Sequence, residues 1–383
     1  MVARLVCVTI PFNKPGFAGN EQAYMAEAIR FGHISGDGEF THRACEQLEA
    51  VLPGARVLLT TSCTHALELA ALLLDLRAGD EVIVPSFTFV SSANAFVLHG
   101  ARPVFADIRS DILGLDPESL EDKISPRTRA VVPVHYAGVS CDMEEILDLC
   151  RPRGIEVVED NAHGLFGRYR GRALGTFGGL AALSFHETKN IICGEGGALV
   201  VNDPRYLERA EIVREKGTNR KRFFRGLVDK YTWVDVGSSF LPSDLLAAFL
   251  FGQLEKKDEI QAARRRIFER YAEALLSWAR EKGVRLPEIP HDREQSFHMF
   301  HMLLPDLGAR TSFLAHLKEQ GILAVFHYQP LHLSEMGRRF GGKPGDCPIS
   351  EEAADRLVRL PFYTGLAPAD QERVIEAILS APL

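Results

Sequence analysis

The chain has 383 residues, 46% hydrophobic and 25% charged. That is the balance of an ordinary globular protein, with enough length for more than one structural unit. With 44 basic and 51 acidic residues the net charge is −7, which excludes a global attraction to nucleic acid or to an anionic membrane. An anionic ligand would have to find local cations or backbone amides.

The apolar run Leu5–Ile10, closed by Pro11, is too short for the core of a secretion signal, and no apolar stretch long enough to span a membrane follows. The seven cysteines at 7, 45, 63, 141, 150, 193 and 347 are odd in number and form no C-x-x-C pair. They argue against a disulfide framework or a zinc site and for reduced thiols, so the expected compartment is the cytoplasm. Short β-branched runs at Arg56–Thr61, Glu81–Pro85, Pro103–Asp107, Ala130–His135, Ile155–Glu159, Leu180–Phe185 and Ala198–Val201 predict strands. Thr64–Leu76 and Cys141–Arg153 predict helices among them. This alternation implies crossover connections and an α/β fold: a mostly parallel sheet sandwiched by helices, with ligands beyond the carboxyl ends of the strands. Ser243–Lys282 is helical and highly charged, opened by Ser243-Asp244 and stopped by Gly283. It predicts a bridge into a smaller α+β domain with a strand at Phe297–Leu304, a helix at Arg310–Glu319, a strand at Ile322–His327 and a helix at Asp370–Leu379. The expected division is a large domain over 1–242 and a bridge with a small domain over 243–383.

Several polar residues fall at the predicted strand ends. Lys189, in Ser184-Phe-His-Glu-Thr-Lys-Asn190, precedes the turn Gly194-Glu-Gly-Gly197. A lysine at a pocket edge forms an imine with an aldehyde if its environment lowers its pKa; taken alone, a lysine is a solvated surface residue. Asp160 closes Ile155–Asp160; it either caps a turn or pairs with a protonated pyridine nitrogen. His163 follows three residues on, as a ring contact or as a structural histidine. Thr61-Ser-Cys-Thr-His-Ala66 opens a helix whose amides and hydroxyls suit a phosphate. In Pro85–Phe89, Phe87 reads as core, and Phe89 as core or as an aromatic stacked on a flat cofactor. His327 and Tyr328 are candidates for substrate hydroxyls or phosphate. No cluster with metal-ligand spacing stands out, and no G-x-G-x-x-G follows the first strand, which removes a nicotinamide-dinucleotide enzyme.

Together these segments resemble the DegT/DnrJ/EryC1/StrS family of sugar aminotransferases, from Pro15 and Ser35-Gly36 through Asp160-Asn-Ala-His163 and Lys189 to His327-Tyr328. The resemblance covers essentially the whole chain. It implies a fold-type I architecture dependent on pyridoxal 5′-phosphate, and a homodimer whose active sites lie between subunits. Carried over, Lys189 would be the catalytic lysine that joins the cofactor and shuttles the proton, and Asp160 would hold the pyridine nitrogen. Phe89 would stack on the ring, and Ser184, Thr64 and the amides near Cys63 and His65 would grip the phosphate. Many relatives reach the neighbouring subunit's phosphate with an asparagine; here Gly237-Ser-Ser-Phe-Leu-Pro242 offers Ser238 and Ser239 instead. Relatives with a dehydratase activity carry a histidine at the place of Lys189.

Within the family, Ser184–Asn190, Arg214–Arg220, Asp229–Trp233 and Ala324–Tyr328 are similar to the branch that aminates C4 of a dTDP-linked 4-keto-6-deoxyglucose with L-glutamate as donor. On that resemblance a nucleotide-linked keto-sugar is the expected partner, with Arg220 and Lys221 of the basic stretch Arg214–Arg225 as contacts for its pyrophosphate. Another 3- or 4-keto sugar, or a regulator that binds the cofactor without catalysis, are the alternatives.

Overall fold

The computed structural model describes residues 9–382; Cys7 and most of the Leu5–Ile10 run lie outside them. Seven short strands make one sheet: β1 Arg56–Thr60, β2 Glu81–Pro85, β3 Arg102–Ala106, β4 Thr128–Val131, β5 Glu156–Asp160, β6 Leu180–Ser184 and β7 Gly197–Val201. Their order is β1-β7-β6-β5-β4-β2-β3. Neighbours from β3 to β6 are parallel, and β7 runs antiparallel to both β6 and β1. The reversal has a local cause: residues 185–196 contain no helix, and a parallel return would need a crossover.

Both faces of the sheet are covered, which is why β2 and β7 are buried at every position and read as continuous apolar runs. On one face Leu58, Val84, Ala182 and Leu199 meet Ala66, Leu69 and Ala70 of the helix Cys63–Leu73. On the other, Leu59, Leu183 and Val200 meet Phe40 and Leu48 of the helix Glu39–Val51 and Ala247 and Leu250 of the helix Asp244–Glu255. Alternate residues of one strand thus serve opposite faces.

The helical stretch expected over Ser243–Lys282 is two helices, Asp244–Glu255 and Lys257–Lys282, parted at Lys256, where ψ is 14°. The second carries Ile267, Tyr271 and Leu275 into a separate core with Met302, Phe313, Leu317, Val374 and Ile378. In that region strands His301–Leu303 and Leu357–Arg359 pair antiparallel, flanked by helices Leu307–Glu319 and Pro368–Leu379. Ile322–His327 is not a strand. It makes only the isolated bridges Ile10↔Ile322 and Val325↔Arg359 before the chain turns away toward Pro330. Among the described residues no helix is long and apolar enough to cross a membrane.

Candidate active site

Lys189 lies on the connection between β6 and β7, in a loop closed by Phe185 N–H to Gly196 O at 2.8 Å and Glu187 N–H to Gly194 O at 2.9 Å. The neighbouring Asn190 fixes its height: its amide donates to Ser296 O at 2.6 Å and its oxygen meets His298 Nδ1 at 3.0 Å. Lys189 is partly buried, and burial pushes its amine down to about 8, a shift that the Arg359 charge adds to and that Cys63 and Asp160 oppose. An amine so placed is more available as a nucleophile and base than a surface lysine.

Asp160 ends β5 and is buried. One carboxylate oxygen accepts Ser92 Oγ–H at 2.6 Å and the other accepts the Ala162 amide at 3.1 Å. Ser92 also meets Thr88 Oγ1 at 2.8 Å, and its neighbour Ser91 meets Thr64 Oγ1 at 2.8 Å. The segment 88–92 therefore ties the strand-end acid to the start of the helix Cys63–Leu73, and it carries Phe89, a residue 56% exposed whose ring centroid is 6.2 Å from that of Tyr328.

At that helix start Ser62 is the cap: its Oγ accepts the His65 amide at 3.1 Å. The amides of Cys63 and Thr64 precede the first internal bond, Ala66 N–H to Ser62 O, and are the donors left for an anion. The His65 amide is taken by the cap, and its ring bonds Thr61. The helix start sits directly on β7 because Gly197 has no side chain; a Cβ there would lie 2.3 Å from Ser62 C. Ser184, at the end of β6, stands in register with this glycine.

His163 is buried and stacks on His298, with centroids 4.2 Å apart and planes at 16°. Burial and the Lys189 charge hold His163 well below the usual imidazole range, and its Nδ1 is buried without a partner. His327 bonds Tyr136 OH at 3.0 Å and stacks on Tyr328 at 3.4 Å. Burial pushes His327 down and Tyr328 up, so both are neutral groups. Their segment is pinned to the end of β2, where Leu331 N–H donates to Ser86 O at 2.8 Å and His332 bonds Ser86 Oγ at 2.5 Å.

Ser238 and Ser239 are exposed, on a segment held by Ser238 N–H to Val213 O at 3.1 Å that runs on to Phe240, whose carbonyl accepts the Thr61 amide at 2.9 Å and whose ring packs on His65. The basic stretch is largely paired within the chain. Arg220 meets Glu215 at 2.8 Å, Lys221 meets Asp37 at 3.5 Å and Glu211 at 3.6 Å, and Arg225 meets Glu211 at 2.7 Å. Arg214, expected to be one of its free cations, is 1% exposed and bonds Asp37 and the Leu59 carbonyl. It is a structural ion pair, because its helix buries it against β1. Sequence reasoning missed Ser92, Ser91, Asn190, His298 and Arg359; only Ser91-Ser92, opening a helix just beyond a strand end, offered a local signal.

The sequence profile of the DegT/DnrJ/EryC1/StrS aminotransferase family matches residues 17–379. The spore coat polysaccharide biosynthesis protein SpsC of Bacillus subtilis is 32% identical over 377 residues, 96% of each chain. Among solved structures, DesV of S. venezuelae is 32% identical with a TM-score of 0.85, covering 94% of this chain and 93% of that one. The sugar aminotransferase Spr1654 of Streptococcus pneumoniae, described as putative and solved in its PMP form, shares the fold at a TM-score of 0.90 and 24% identity, with 97% and 99% covered. The chain belongs to the DegT/DnrJ/EryC1/StrS aminotransferase family, and is an enzyme of this pyridoxal 5′-phosphate-dependent class of sugar aminotransferases.

The site fits that cofactor. It offers a low-pKa amine for the aldehyde, a buried strand-end carboxylate for the ring nitrogen, an exposed aromatic face, free helix amides for the phosphate, and an unpartnered imidazole nitrogen.

Proposed function

We propose that the enzyme moves the amino group of L-glutamate to C4 of dTDP-4-dehydro-6-deoxy-D-glucose, giving dTDP-4-amino-4,6-dideoxygalactose for a cell-surface polysaccharide of the enterobacterial common antigen type. The observation that carries the amino-transfer chemistry is Lys189, an amine that burial lowers to about 8 within the field of the buried carboxylate of Asp160. The choice of sugar is supported by the segments Ser184–Asn190, Arg214–Arg220, Asp229–Trp233 and Ala324–Tyr328, and by SpsC, whose name places it in polysaccharide synthesis.

Bound pyridoxal 5′-phosphate supplies an aldehyde that carries the amino group and a ring that withdraws electrons from the reacting carbon. In this reading Asp160 keeps the ring nitrogen protonated, Phe89 covers one ring face, and His163 Nδ1 meets a polar oxygen of the ring. The Thr64 and Ser184 hydroxyls and the free amides of Cys63 and Thr64 hold the phosphate, the His65 amide being taken by the Ser62 cap, and the grip is completed by Ser238 or Ser239 of a neighbouring copy. Lys189 would move the proton of the donor's α-carbon onto the cofactor's aldehyde carbon in the first half-reaction, and a proton from that carbon onto C4 of the sugar in the second. His327 and Tyr328 contact the sugar, and Arg220 and Lys221 its pyrophosphate.

Incubation with glutamate and a panel of nucleotide keto-sugars, with NMR of the product, tests the reading. Amination at C4 of the dTDP-linked sugar is expected; a better 3-keto acceptor would overturn the substrate.

A further inference from the structure

Arg359 ends the strand Leu357–Arg359 in register with His301, and its backbone exchanges hydrogen bonds of 2.7 and 3.1 Å with Val325. That pairing sets it beside the segment that runs on as Phe326, His327 and Tyr328. Its Cζ lies 4.6 Å from the centroid of the Phe12 ring, and its Nε is buried without a hydrogen-bond partner. The fully buried arginines, by contrast, are satisfied. Arg214 has Asp37 and a carbonyl, Arg293 has Asp142 and a carbonyl, and Arg264 donates to the carbonyls of Phe297 and His298. Arg359 has no such acid among the described residues; the titratable groups acting on it are the phenols Tyr136 and Tyr328, which burial keeps neutral. Arg359 is only partly buried, so its guanidinium can be reached by a ligand, and a partly desolvated cation without an anion gains from a ligand that supplies one. Its field reaches the reacting amine, since its charge disfavours protonation of Lys189 and of His163.

We propose that Arg359 receives a carboxylate of the amino donor and so positions the donor's nitrogen toward Lys189. The inference rests on the amino-transfer reading above. A planar guanidinium offers a carboxylate two parallel N–H donors, and one positive charge answers one negative charge. A pyrophosphate calls for several cations, and the groups gathered around Arg359 are phenols, imidazoles and Phe12.

Calorimetric titration of the holoenzyme with glutarate, a dicarboxylate that has no amino group to transfer, reads this contact without turnover. Arg359→Gln should weaken glutarate roughly 10- to 100-fold, the range for hydrogen bonds to a charged group. Arg359→Lys should recover part of that loss. The glutamate half-reaction followed by stopped-flow absorbance should lose apparent affinity to the same degree, while KM for the sugar nucleotide holds. The melting temperature of Arg359→Gln should not fall, because no native ion pair is lost; if that variant fails to fold, the partial loss in Arg359→Lys carries the test. Unchanged glutarate affinity with amino transfer intact overturns this inference alone, as does a loss confined to the sugar nucleotide. A wild-type holoenzyme that takes no amino group from any amino acid overturns the amino-transfer reading as well.

Discussion

Lys189 sits where its two protonation states differ strongly in cost. Its amine falls from 10.5 to about 8 in the fold, so the folded protein disfavours the charged form that the unfolded chain carries up to pH 10.5. The penalty is fully present below about pH 8, shrinks as pH rises toward 10.5, and amounts to roughly 3 kcal/mol at most. Lys189→Met should therefore stabilise the cofactor-free protein at pH 7, with the gain shrinking by pH 9.5 in denaturant titrations; a constant gain would place the lysine in water. The same variant should abolish turnover, and borohydride trapping of the wild-type holoenzyme should label Lys189 and no other lysine. Asp160 separates function from folding differently. Its oxygens already accept from Ser92 and the Ala162 amide, and an amide side chain can keep one of those bonds but cannot hold a ring nitrogen protonated. Asp160→Asn should lower kcat by about 100-fold or more, while the melting temperature shifts by only a few degrees; near-wild-type turnover would make Asp160 a turn residue only.

At the scale of elements, the helix start at Ser62 and the first residue of β7, Gly197, share one contact that only glycine permits. Gly197→Ala would drive a Cβ into the Ser62 and Cys63 backbone at 2.3 and 2.4 Å. The helix start must then retreat, and the Cys63 and Thr64 amides with it. The expected result is loss of cofactor retention on gel filtration together with a drop in melting temperature, and a variant that keeps its cofactor at wild-type affinity would separate this helix start from the phosphate. The seven strands are legible in sequence because each is a short apolar run between turn signals. The direction of β7 is not, since periodicity is blind to direction and only the helix-free connection decides it. Asp160 and Lys189 are legible because each sits at or beyond a strand end in its own segment. Ser92, His298 and Arg359 act through partners far away in sequence, as in the Ser92–Asp160 bond across 68 residues, and nothing local marks them. The helices Glu21–Phe31 and Glu39–Val51 lie outside the predicted elements; the first buries only Glu21 and Ala28, and the second mixes Thr41 and Ala44 with Phe40 and Leu48, so neither presents a strong apolar stripe.

Over the whole molecule, the segment from Phe223 to Val236 stands out for apolar exposure: Phe224 is 69%, Leu227 63% and Trp233 78% exposed, near the likewise exposed Ser238 and Ser239. Large apolar groups gathered on one segment mark a surface that another chain covers, and a second copy is the occupant that the proposed shared site requires. Sedimentation should give a dimer, and Trp233→Glu should shift it toward monomer with loss of activity; a fully active monomer would sink the shared site. The proposed pyrophosphate contacts lie just before this segment in the chain. Arg220 and Lys221 are balanced by Glu215, Asp37 and Glu211, so within the chain their charge is largely cancelled. A diphosphate gains from them only by drawing them away from those acids, and neutralising both leaves the acids to repel it. Arg220→Gln with Lys221→Gln should thus raise KM for the sugar nucleotide about 10-fold or more, and less so at high salt, where exposed charges are screened. Arg222→Gln, whose partner Glu208 is largely exposed, should change KM little. The glutamate half-reaction should be untouched in both variants, since its proposed anchor is Arg359. If the double variant slows both half-reactions alike, the stretch serves the fold or the dimer and not the pyrophosphate.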